Sequence, residues 1–354
     1  MRKQLLFFVI ASFGGLTSVS GQRMDEKATH SKFIQAVDEY CPAPGQFINT
    51  LPQYDEGDTP ETMANKCTAA LAENKGGMVC LGGFGGYITF HFDHSIANVA
   101  GKHDLYIKGN AFSGNGEPGI VMVSKDMNGN GLPDDPWYEL CGSADTDCPD
   151  KVTYNYQITY TANSMNDIPW IDNQGTTGVL PRNNYHKQEY FPLWMASPLT
   201  FTGTCLPKNT QNIGEGNEEF WVLSSFQYGY VDNKANTDSI ANSFNIEWAV
   251  DADRKPVELD FIDFVRVYTA VNQVSGHLGE TSTEVTGAED LHLEQSLDAI
   301  RNVFTGIEND VLGVGEAMPK EIYTIDGQRI GRLQKGLNIV RMNNGTVKKV
   351  FIQK

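Results

Sequence analysis

The stretch that most constrains this chain is residues 121–140, VMVSKDMNGNGLPDDPWYEL. An alternating apolar run leads into a turn rich in oxygen-bearing side chains, and the chain leaves that turn through a second apolar segment. Asn-Gly pairs and Asp residues are typical of turns that join antiparallel strands. Oxygen donors at alternate positions are also how a loop presents ligands to calcium. The stretch therefore predicts two strands joined either by a plain polar turn or by a calcium-binding loop.

The loop matches a calcium-binding pattern in part. Gly131 stands at the sixth position, where an EF-hand loop has its glycine, but the twelfth position is Trp137 instead of a bidentate glutamate. Asp135 or Glu139 would replace that ligand only if the loop folds differently. Three carboxylates within ten residues repel one another unless a cation neutralises them, which favours a structural Ca²⁺. The predicted metal ligands are Asp126, Asn128, Asn130, the carbonyl of Leu132, Asp134 and Asp135.

The first 22 residues predict a secretory signal. Arg2 and Lys3 form a basic start, residues 5–10 are apolar, and small residues follow at 18–21. The apolar run is too short to span a bilayer as a permanent helix, and no later stretch approaches about 20 apolar residues. The first cysteine is Cys41, so no lipid anchor is indicated. We expect an exported protein, at the cell surface or extracellular, with the periplasm as the alternative and no transmembrane segment after processing.

Charge and cysteine content narrow the partners and the compartment. The chain has 27 basic and 44 acidic residues, a net charge of −17, which argues against nucleic acid and anionic membrane surfaces and favours cations. Six cysteines fit an oxidising compartment, and the close pairs Cys67/Cys80 and Cys141/Cys148 are the disulfides to consider first. Free thiols are the alternative, because a chain of this size can bury a core without disulfides.

The pattern along the chain predicts an all-β protein with a jelly-roll-like β-sandwich. One helix is expected to begin around Thr59 and Pro60, with an N-cap residue followed by proline, and to end at Gly76. From residue 78 onward, many short alternating strands are separated by turn signals, as in sandwiches. The expected organisation is a signal at 1–22, a sandwich domain with one N-terminal helix at 23–294, a linker at 295–318 and a small C-terminal β module at 319–354.

Residues 163–195 have little periodicity and many aromatic side chains, so we expect a long loop. Long loops in compact domains are usually functional or disordered, and aromatic content argues against disorder. Pockets combine apolar walls with a few polar groups, which this composition matches; the alternative is that half of these aromatics close the end of the sandwich. Gln174 and Asn183 add polar groups. The predicted ligand-binding residues are Trp170, Asp172, Asn173, Arg182, Tyr185, His186, Tyr190 and Trp194.

The sequence favours a binding protein over an enzyme. It contains no G-x-S-x-G nucleophile motif, and its seven histidines form no H-x-x-x-H or H-E-x-x-H motif. Paired carboxylates for glycoside hydrolysis are present, but the separation that matters is spatial, so a glycan hydrolase stays an alternative, as does an adhesin or structural surface protein. The acids considered for that pairing are Glu218, Glu219, Glu247, Glu280 and Glu284.

Three segments resemble secreted or cell-surface proteins of Bacteroidetes that are described as cell-surface or PKD-like proteins. They are LGGFGGYITFHFDHSI, IKGNAFSGNGEPGIVMVSKDMNGNGLPDDPWYEL and IDFVRVYTAVNQVSGHLGETSTEVTGAEDLHL, and the resemblance covers roughly residues 35 to 295. It implies a jelly-roll β-sandwich without an assigned enzymatic activity. Such proteins are often encoded beside surface nutrient-uptake systems, including corrinoid systems, so the resemblance implies ligand capture; it implies no particular ligand residues.

The tail resembles the C-terminal sorting domains of the type IX secretion route. The similar segments are residues 323–327, 335–340 and 348–354. The resemblance implies contact with outer-membrane uptake or secretion machinery, and a plain β module is the alternative. Together, the sequence predicts an exported, calcium-stabilised, non-catalytic surface protein that captures a small-molecule or glycan ligand, with a saccharide as the first expected ligand and a corrinoid as the second.

Overall fold

The computed structural model describes residues 30–216 and 218–297 and four strands between residues 319 and 352. The predicted signal and most of the predicted linker lie outside these residues. The helices are α1 (Pro60–Leu71) and α2 (Ala144–Asp147), with 3₁₀ turns at Ala72–Asn74, Pro149–Lys151, Ile246–Trp248 and Gly276–Leu278. Residues 293–297 are also helical. The strands up to residue 180 are β1 (Ala36–Cys41), β2 (Val79–Cys80), β3 (Tyr87–Ala97), β4 (Leu105–Lys108), β5 (Gly119–Ser124), β6 (Trp137–Leu140), β7 (Thr153–Tyr160), β8 (Ile168–Asp172) and β9 (Thr177–Leu180). The later strands are β10 (Leu199–Cys205), β11 (Thr210–Asn212), β12 (Trp221–Leu223), β13 (Ser243–Phe244), β14 (Ala249–Val250), β15 (Phe261–Thr269), β16 (Glu284–Val285), β17 (Gly287–Asp290), β18 (Pro319–Thr324), β19 (Arg329–Ile330), β20 (Gly336–Met342) and β21 (Val347–Ile352).

Helix α1 begins where the sequence predicts. Thr59 is its N-cap and accepts a hydrogen bond from the backbone N–H of Thr62, and Pro60 occupies the first turn, where its missing N–H costs nothing. Its buried face packs into the core with residues at helical spacing, among them Met63 and Cys67. The helix ends at Leu71, earlier than expected, because a 3₁₀ turn with left-handed backbone follows it.

A six-stranded antiparallel sheet forms the centre of the molecule, in the order β1-β3-β15-β5-β6-β14. In β15, Val265 lies opposite Phe90 on one side and Val123 on the other. Because side chains alternate across a strand, Val121 and Val123 enter one core while Ile120 and Met122 face the other. The predicted strand pair around the central loop is therefore confirmed as β5 and β6.

Both faces of the central sheet are covered. A second antiparallel sheet, β10-β7-β8-β9, packs against one face, where Ile158 and Phe201 meet Ile120 and Tyr268. Helix α1 and the sheet β13-β4-β17 contribute to the core on the opposite face. The fold is all-β and sandwich-like, as the sequence predicts. The remaining described strands pair as β11-β12 and β16-β2.

The expected irregular stretch at 163–195 is partly wrong, because it contains the hairpin β8–β9, with Ile168 opposite Leu180. The turn is closed by the Asp172 carboxylate, which accepts the backbone N–H groups of Gln174 and Thr176. Gly175 supplies the left-handed backbone conformation that this turn requires. Residues 181–195 contain no described strand.

The two disulfides considered from the sequence are wrong, since all six cysteines are free thiols in the structure. Cys67 is buried on α1, while the Cys80 Sγ lies 2.9 Å from the Oγ of Ser282. The Cys141 Sγ faces the Arg254 guanidinium at 3.2 Å. A core of this size can be stable without disulfides, and a free cysteine packs in it as a small apolar side chain.

The described C-terminal strands form their own antiparallel sheet, in the order β19-β18-β20-β21. The sequence predicts three strands there, and the structure adds the short strand β19. Across the described parts of the chain, we find no helix of sufficient length and apolarity to cross a membrane.

A carboxylate cavity as the candidate functional site

A cavity of about 450 Å³ opens in the sandwich domain, and four segments provide most of its lining. These are the loop after β1, the loop between β4 and β5, part of the loop after β9, and the segment that leads into β16. We call it the carboxylate cavity. Its lining residues are Gln46, Phe47, Leu51, Met78, Asn110, Phe112, Asn115, Glu117, Asn183, Tyr185, His186, Leu223, Ser275, His277, Leu278, Gly279, Glu280, Thr281, Ser282 and Glu284.

Aromatic side chains surround the mouth of the cavity. Tyr185 is 78% exposed and Phe112 is 63% exposed, so each offers a free ring face. The His186 ring packs edge-on against Phe47, with ring centroids 4.5 Å apart. Asn183 fixes this segment, because its Oδ1 accepts the backbone N–H groups of Tyr185 and His186.

Three acidic side chains cluster at the floor of the cavity. Ligand-capable oxygens of Glu117, Asp232 and Glu284 all lie within 4.8 Å of one another. Glu117 and Glu284 line the cavity, and Asp232 lies behind them, fully buried. Pairing of β16 with β2 positions Glu284 opposite Cys80. We call these three residues the acidic floor.

Backbone groups hold the acidic floor in place. The Asp232 Oδ1 accepts the N–H groups of Asn110 at 2.6 Å and Ala111 at 2.7 Å, and its Oδ2 accepts the N–H of Glu284 at 2.9 Å. The Glu117 Oε1 accepts the N–H of Ser282 at 3.2 Å. The geometry of the floor is therefore set by the chain itself.

A fourth acid, Glu280, lies beside the floor in the same cavity. Its side chain is only 4% exposed, and its Oε1 accepts the backbone N–H of Gln46 at 2.6 Å. Its Oε2 is buried and has no hydrogen-bond partner. An unpaired buried carboxylate oxygen is costly, so this atom marks a position where a bound group would be stabilised.

Burial, followed by mutual repulsion, shifts these acids toward the protonated form. Burial and the neighbouring Asp232 charge raise the pKa of Glu117, and burial with the Glu117 and Asp232 charges raises the pKa of Glu284 well above its usual range. Burial raises the pKa of Glu280 to about 7. Among the described residues that line the cavity there is no Lys or Arg, so no fixed cation opposes this charge.

The structure divides the predicted ligand residues into two groups. Tyr185 and His186 line the cavity together with Asn183. Trp170, Asp172 and Asn173 instead belong to the β8–β9 hairpin: the Trp170 ring covers Gly178, and Asn173 bonds to the backbone of β7. These three residues contribute to the hairpin, and none of them lines the carboxylate cavity.

Arg182, Tyr190 and Trp194 have packing contacts instead of a place in the cavity lining. Arg182 donates to the carbonyls of Met165, Lys187 and Gln188 and stacks over the Tyr190 ring. Tyr190 is fully buried. Trp194 lies between two tyrosine rings, 5.6 Å and 6.1 Å away. The alternative that some aromatics close the sandwich fits these positions.

The central loop has the backbone of an oxygen-presenting turn. The Asp126 Oδ1 accepts the N–H of Gly129 at 2.6 Å, and its Oδ2 accepts the N–H of Gly131 at 2.8 Å. Gly129 and Gly131 both have positive φ, which permits the tight turn. The Asn130 Oδ1 accepts the N–H of Leu132, which holds the backbone of the seventh position.

The remaining predicted calcium ligands are hydrogen-bonded within this loop. The Asp134 carboxylate accepts the side-chain amides of Asn128 and Asn130, and Asp135 accepts the N–H of Met127. Trp137 begins β6, so the twelfth position supplies no carboxylate. Glu139 cannot replace it, because its side chain is bound by Arg254 and Thr204.

A second acidic group lies around His94, whose side chain is fully buried. Its Nδ1 is 2.6 Å from the Asp93 Oδ1, and its Nε2 is 2.8 Å from the Asp290 Oδ2. Burial alone lowers the pKa of His94, but the hydrogen bonds with Asp290 and Asp93 outweigh it, so the pKa is raised. We call this arrangement the His94 network.

Sequence reasoning named Glu280 and Glu284 only among many acids and missed Glu117 and Asp232. Glu117 lies in a glycine-rich turn, GNGEPG, and no local motif distinguishes Asp232. The chain matches neither the models of known protein families nor the curated proteins with which we compared it.

Proposed function

We propose that this protein binds a small polyhydroxylated ligand, a saccharide, in the carboxylate cavity. One observation carries the proposal: the cavity combines exposed aromatic faces at its mouth with buried carboxylates below them. Its volume of about 450 Å³ falls within the range of about 300–1,000 Å³ found for small-molecule sites.

The chemistry of the lining suits a sugar ring. Tyr185 and Phe112 offer flat apolar faces to the C–H groups of a ring, while hydroxyl groups can donate to carboxylate oxygens. The unpaired Oε2 of Glu280 is such an acceptor. A corrinoid, the second ligand considered, is larger than a single sugar and would make contact mainly at the mouth.

The wider setting belongs to the same proposal. We take the protein to be exported and displayed at the cell surface, with its C-terminal β module serving secretion or anchoring. A Ca²⁺ ion at Asp126, Asn128, Asn130, Leu132, Asp134 and Asp135 would stabilise the loop between β5 and β6 and take no part in capture. Support for the ion comes from the oxygen donors and the left-handed glycines of this loop.

Calorimetric titration with mono- and disaccharides tests the capture site. We expect Tyr185→Ala and Phe112→Ala each to weaken binding by about 10-fold, because an aromatic contact contributes about 0.5–1.5 kcal/mol beyond its buried area. Phe220→Ala is the matched control, since Phe220 is 62% exposed and does not line the cavity. Failure to bind any saccharide, or equal effects of all three changes, would contradict the proposal; an adhesin predicts the first result.

A glycan hydrolase is the second candidate, and one observation favours it. Glu280 has its pKa raised to about 7 by burial, so a fraction of it is a protonated acid near neutral pH, as a general acid must be. We expect a hydrolase to release reducing sugar from a bound glycan and Glu280→Gln to abolish turnover while binding persists. A pure binding protein shows no product with either form.

A further inference from the structure

The acidic floor has the separation that a single bound ion requires. Calcium lies about 2.3–2.6 Å from each of its oxygen ligands, so two ligands of one ion can be at most about 5 Å apart. The ligand-capable oxygens of Glu117, Asp232 and Glu284 lie within 4.8 Å of one another. We propose that the acidic floor is a binding site for a hard divalent cation, Ca²⁺, with these three carboxylates as its protein ligands.

These carboxylates keep the capacity to coordinate. A carboxylate has about four lone-pair sites. Asp232 uses three of them for backbone N–H groups and also makes a side-chain hydrogen bond with Glu284, a contact that a bound ion would replace. Glu117 accepts one backbone N–H and the Asn115 side chain at 3.3 Å. The hydrogen bonds therefore hold the ligands in place and leave room for an ion.

The acidic floor has no Lys or Arg partner in the described lining of its cavity. Elsewhere, the buried Glu139 lies 2.5 Å from Arg254 and the buried Asp290 lies 2.8 Å from His94. The residues that line the carboxylate cavity include no Lys or Arg, although Asp232 is fully buried. Buried charges are normally paired or bound to a metal, and here a cation from solution would supply the pairing.

Glu280 is a second, independent observation at the same place. Its Oε2 is buried, has no hydrogen-bond partner, and belongs to a side chain that lines the same cavity. Buried polar atoms are almost always satisfied, by protein, water or ligand. A water on the cation, or a hydroxyl group of a saccharide that binds the cation, would donate to this oxygen.

The cation site adds a ligand-binding role to the proposed capture function, and that role rests on the proposed function. Calcium takes six to eight oxygen ligands, so three carboxylates leave positions for other oxygens. Because Glu117 and Glu284 face the cavity, hydroxyl groups of a bound saccharide would take some of these positions. Saccharide binding should therefore require the cation, whereas cation binding does not require the saccharide.

Calcium titration of the chelator-stripped full chain tests the site. The background Asp126→Asn with Asp134→Asn removes two of the three carboxylates among the predicted loop ligands and leaves the floor. We expect this background to bind one Ca²⁺, and the addition of Glu117→Gln with Glu284→Gln to weaken that binding by at least about 10-fold, because two of three ligands lose their charge. Glu215→Gln, at an exposed acid outside the cavity, is the control and should leave the affinity unchanged.

Thermal unfolding shows whether the glutamine variant still folds. In chelator, Glu117→Gln should not lower the midpoint, because it replaces one of three clustered acids with a neutral side chain, and in excess Ca²⁺ it should lower the midpoint relative to wild type. A background that binds no Ca²⁺, or an affinity unchanged by the double substitution, overturns the inference. Calcium binding without saccharide binding supports the inference and rejects the capture function; saccharide binding unaffected by chelator overturns the role of the cation in capture.

Discussion

Two acidic clusters in this protein are neutralised in different ways. In the His94 network, one buried imidazole contacts Asp93 at 2.6 Å and Asp290 at 2.8 Å, so the chain itself supplies a partner for both carboxylates. In the acidic floor, Glu117, Asp232 and Glu284 approach one another within 4.8 Å, and the described lining of their cavity has no Lys or Arg. The first cluster is closed by the fold, and the second faces a cavity.

The difference between the two clusters distinguishes a stabilising element of the fold from a candidate binding site. Burying a carboxylate costs free energy unless a partner compensates, and a cluster that has its partner needs nothing from outside. The His94 network is therefore a stabilising element. The acidic floor is complete only with protons or a cation, which is what makes it a candidate site.

The largest effect is expected from breaking the closed cluster. His94→Leu removes the shared partner of two carboxylates, and breaking a buried pair costs about 3–5 kcal/mol. Urea unfolding at pH 6 measures the loss. His91→Leu is the control: His91 also contacts a carboxylate, that of Asp38, but its side chain is 19% exposed, so we expect a smaller loss. Equal losses would show that burial does not distinguish the two pairs.

The sequence predicted many of the strands but few of the residues of the carboxylate cavity, and both outcomes have physical reasons. Alternating apolar residues mark β3, β5 and β15 because the faces of these strands are buried. The β8–β9 hairpin was not predicted, because Pro169 and Gly178 interrupt the alternating pattern of its strands.

The acidic floor could not be read from a local motif. Glu117, Asp232 and Glu284 are far apart in the chain, and only the strand pairings and turns bring their oxygens together. The sequence of the loop after β9 predicted part of the cavity lining, since Tyr185 and His186 line the cavity. Trp194 instead packs against a tyrosine ring.

Calcium at the central loop is expected to have the next largest effect, and it extends the comparison to a third acidic region. An ion at a hundredfold excess over Kd stabilises the folded state by about 2.7 kcal/mol. We expect the thermal midpoint to rise by several degrees with Ca²⁺ relative to chelator. Asp126→Ala with Asp134→Ala should remove the loop contribution and keep that of the acidic floor. No difference between this variant and wild type would reduce the loop to a hydrogen-bonded turn.

The pH dependence of the His94 network should be smaller and has a definite sign. The pKa of His94 is raised in the folded state, so its contribution to stability is fully present below the unfolded value near 6.5 and is lost as the pH rises through the raised folded value. Unfolding measured from pH 5 to pH 9 should show this decline in wild type. His94→Gln should flatten it; an equal decline in the variant would assign the dependence to other groups.

The smallest effect is expected at an exposed ion pair. Such a pair tests the contribution of charge pairing when neither charge is buried. Lys255 lies 2.9 Å from Asp253, and their side chains are 70% and 73% exposed. Exposed pairs contribute only about 0–1 kcal/mol, because water already solvates both charges. Lys255→Ala should therefore change the free energy of unfolding by about 0.5 kcal/mol or less, measured beside His94→Leu under the same conditions. A loss as large as that of His94→Leu would mean that contact between the charges, and not their burial, determines how much stability is lost when a pair is broken. The contrast between the His94 network and the acidic floor would then have no physical basis.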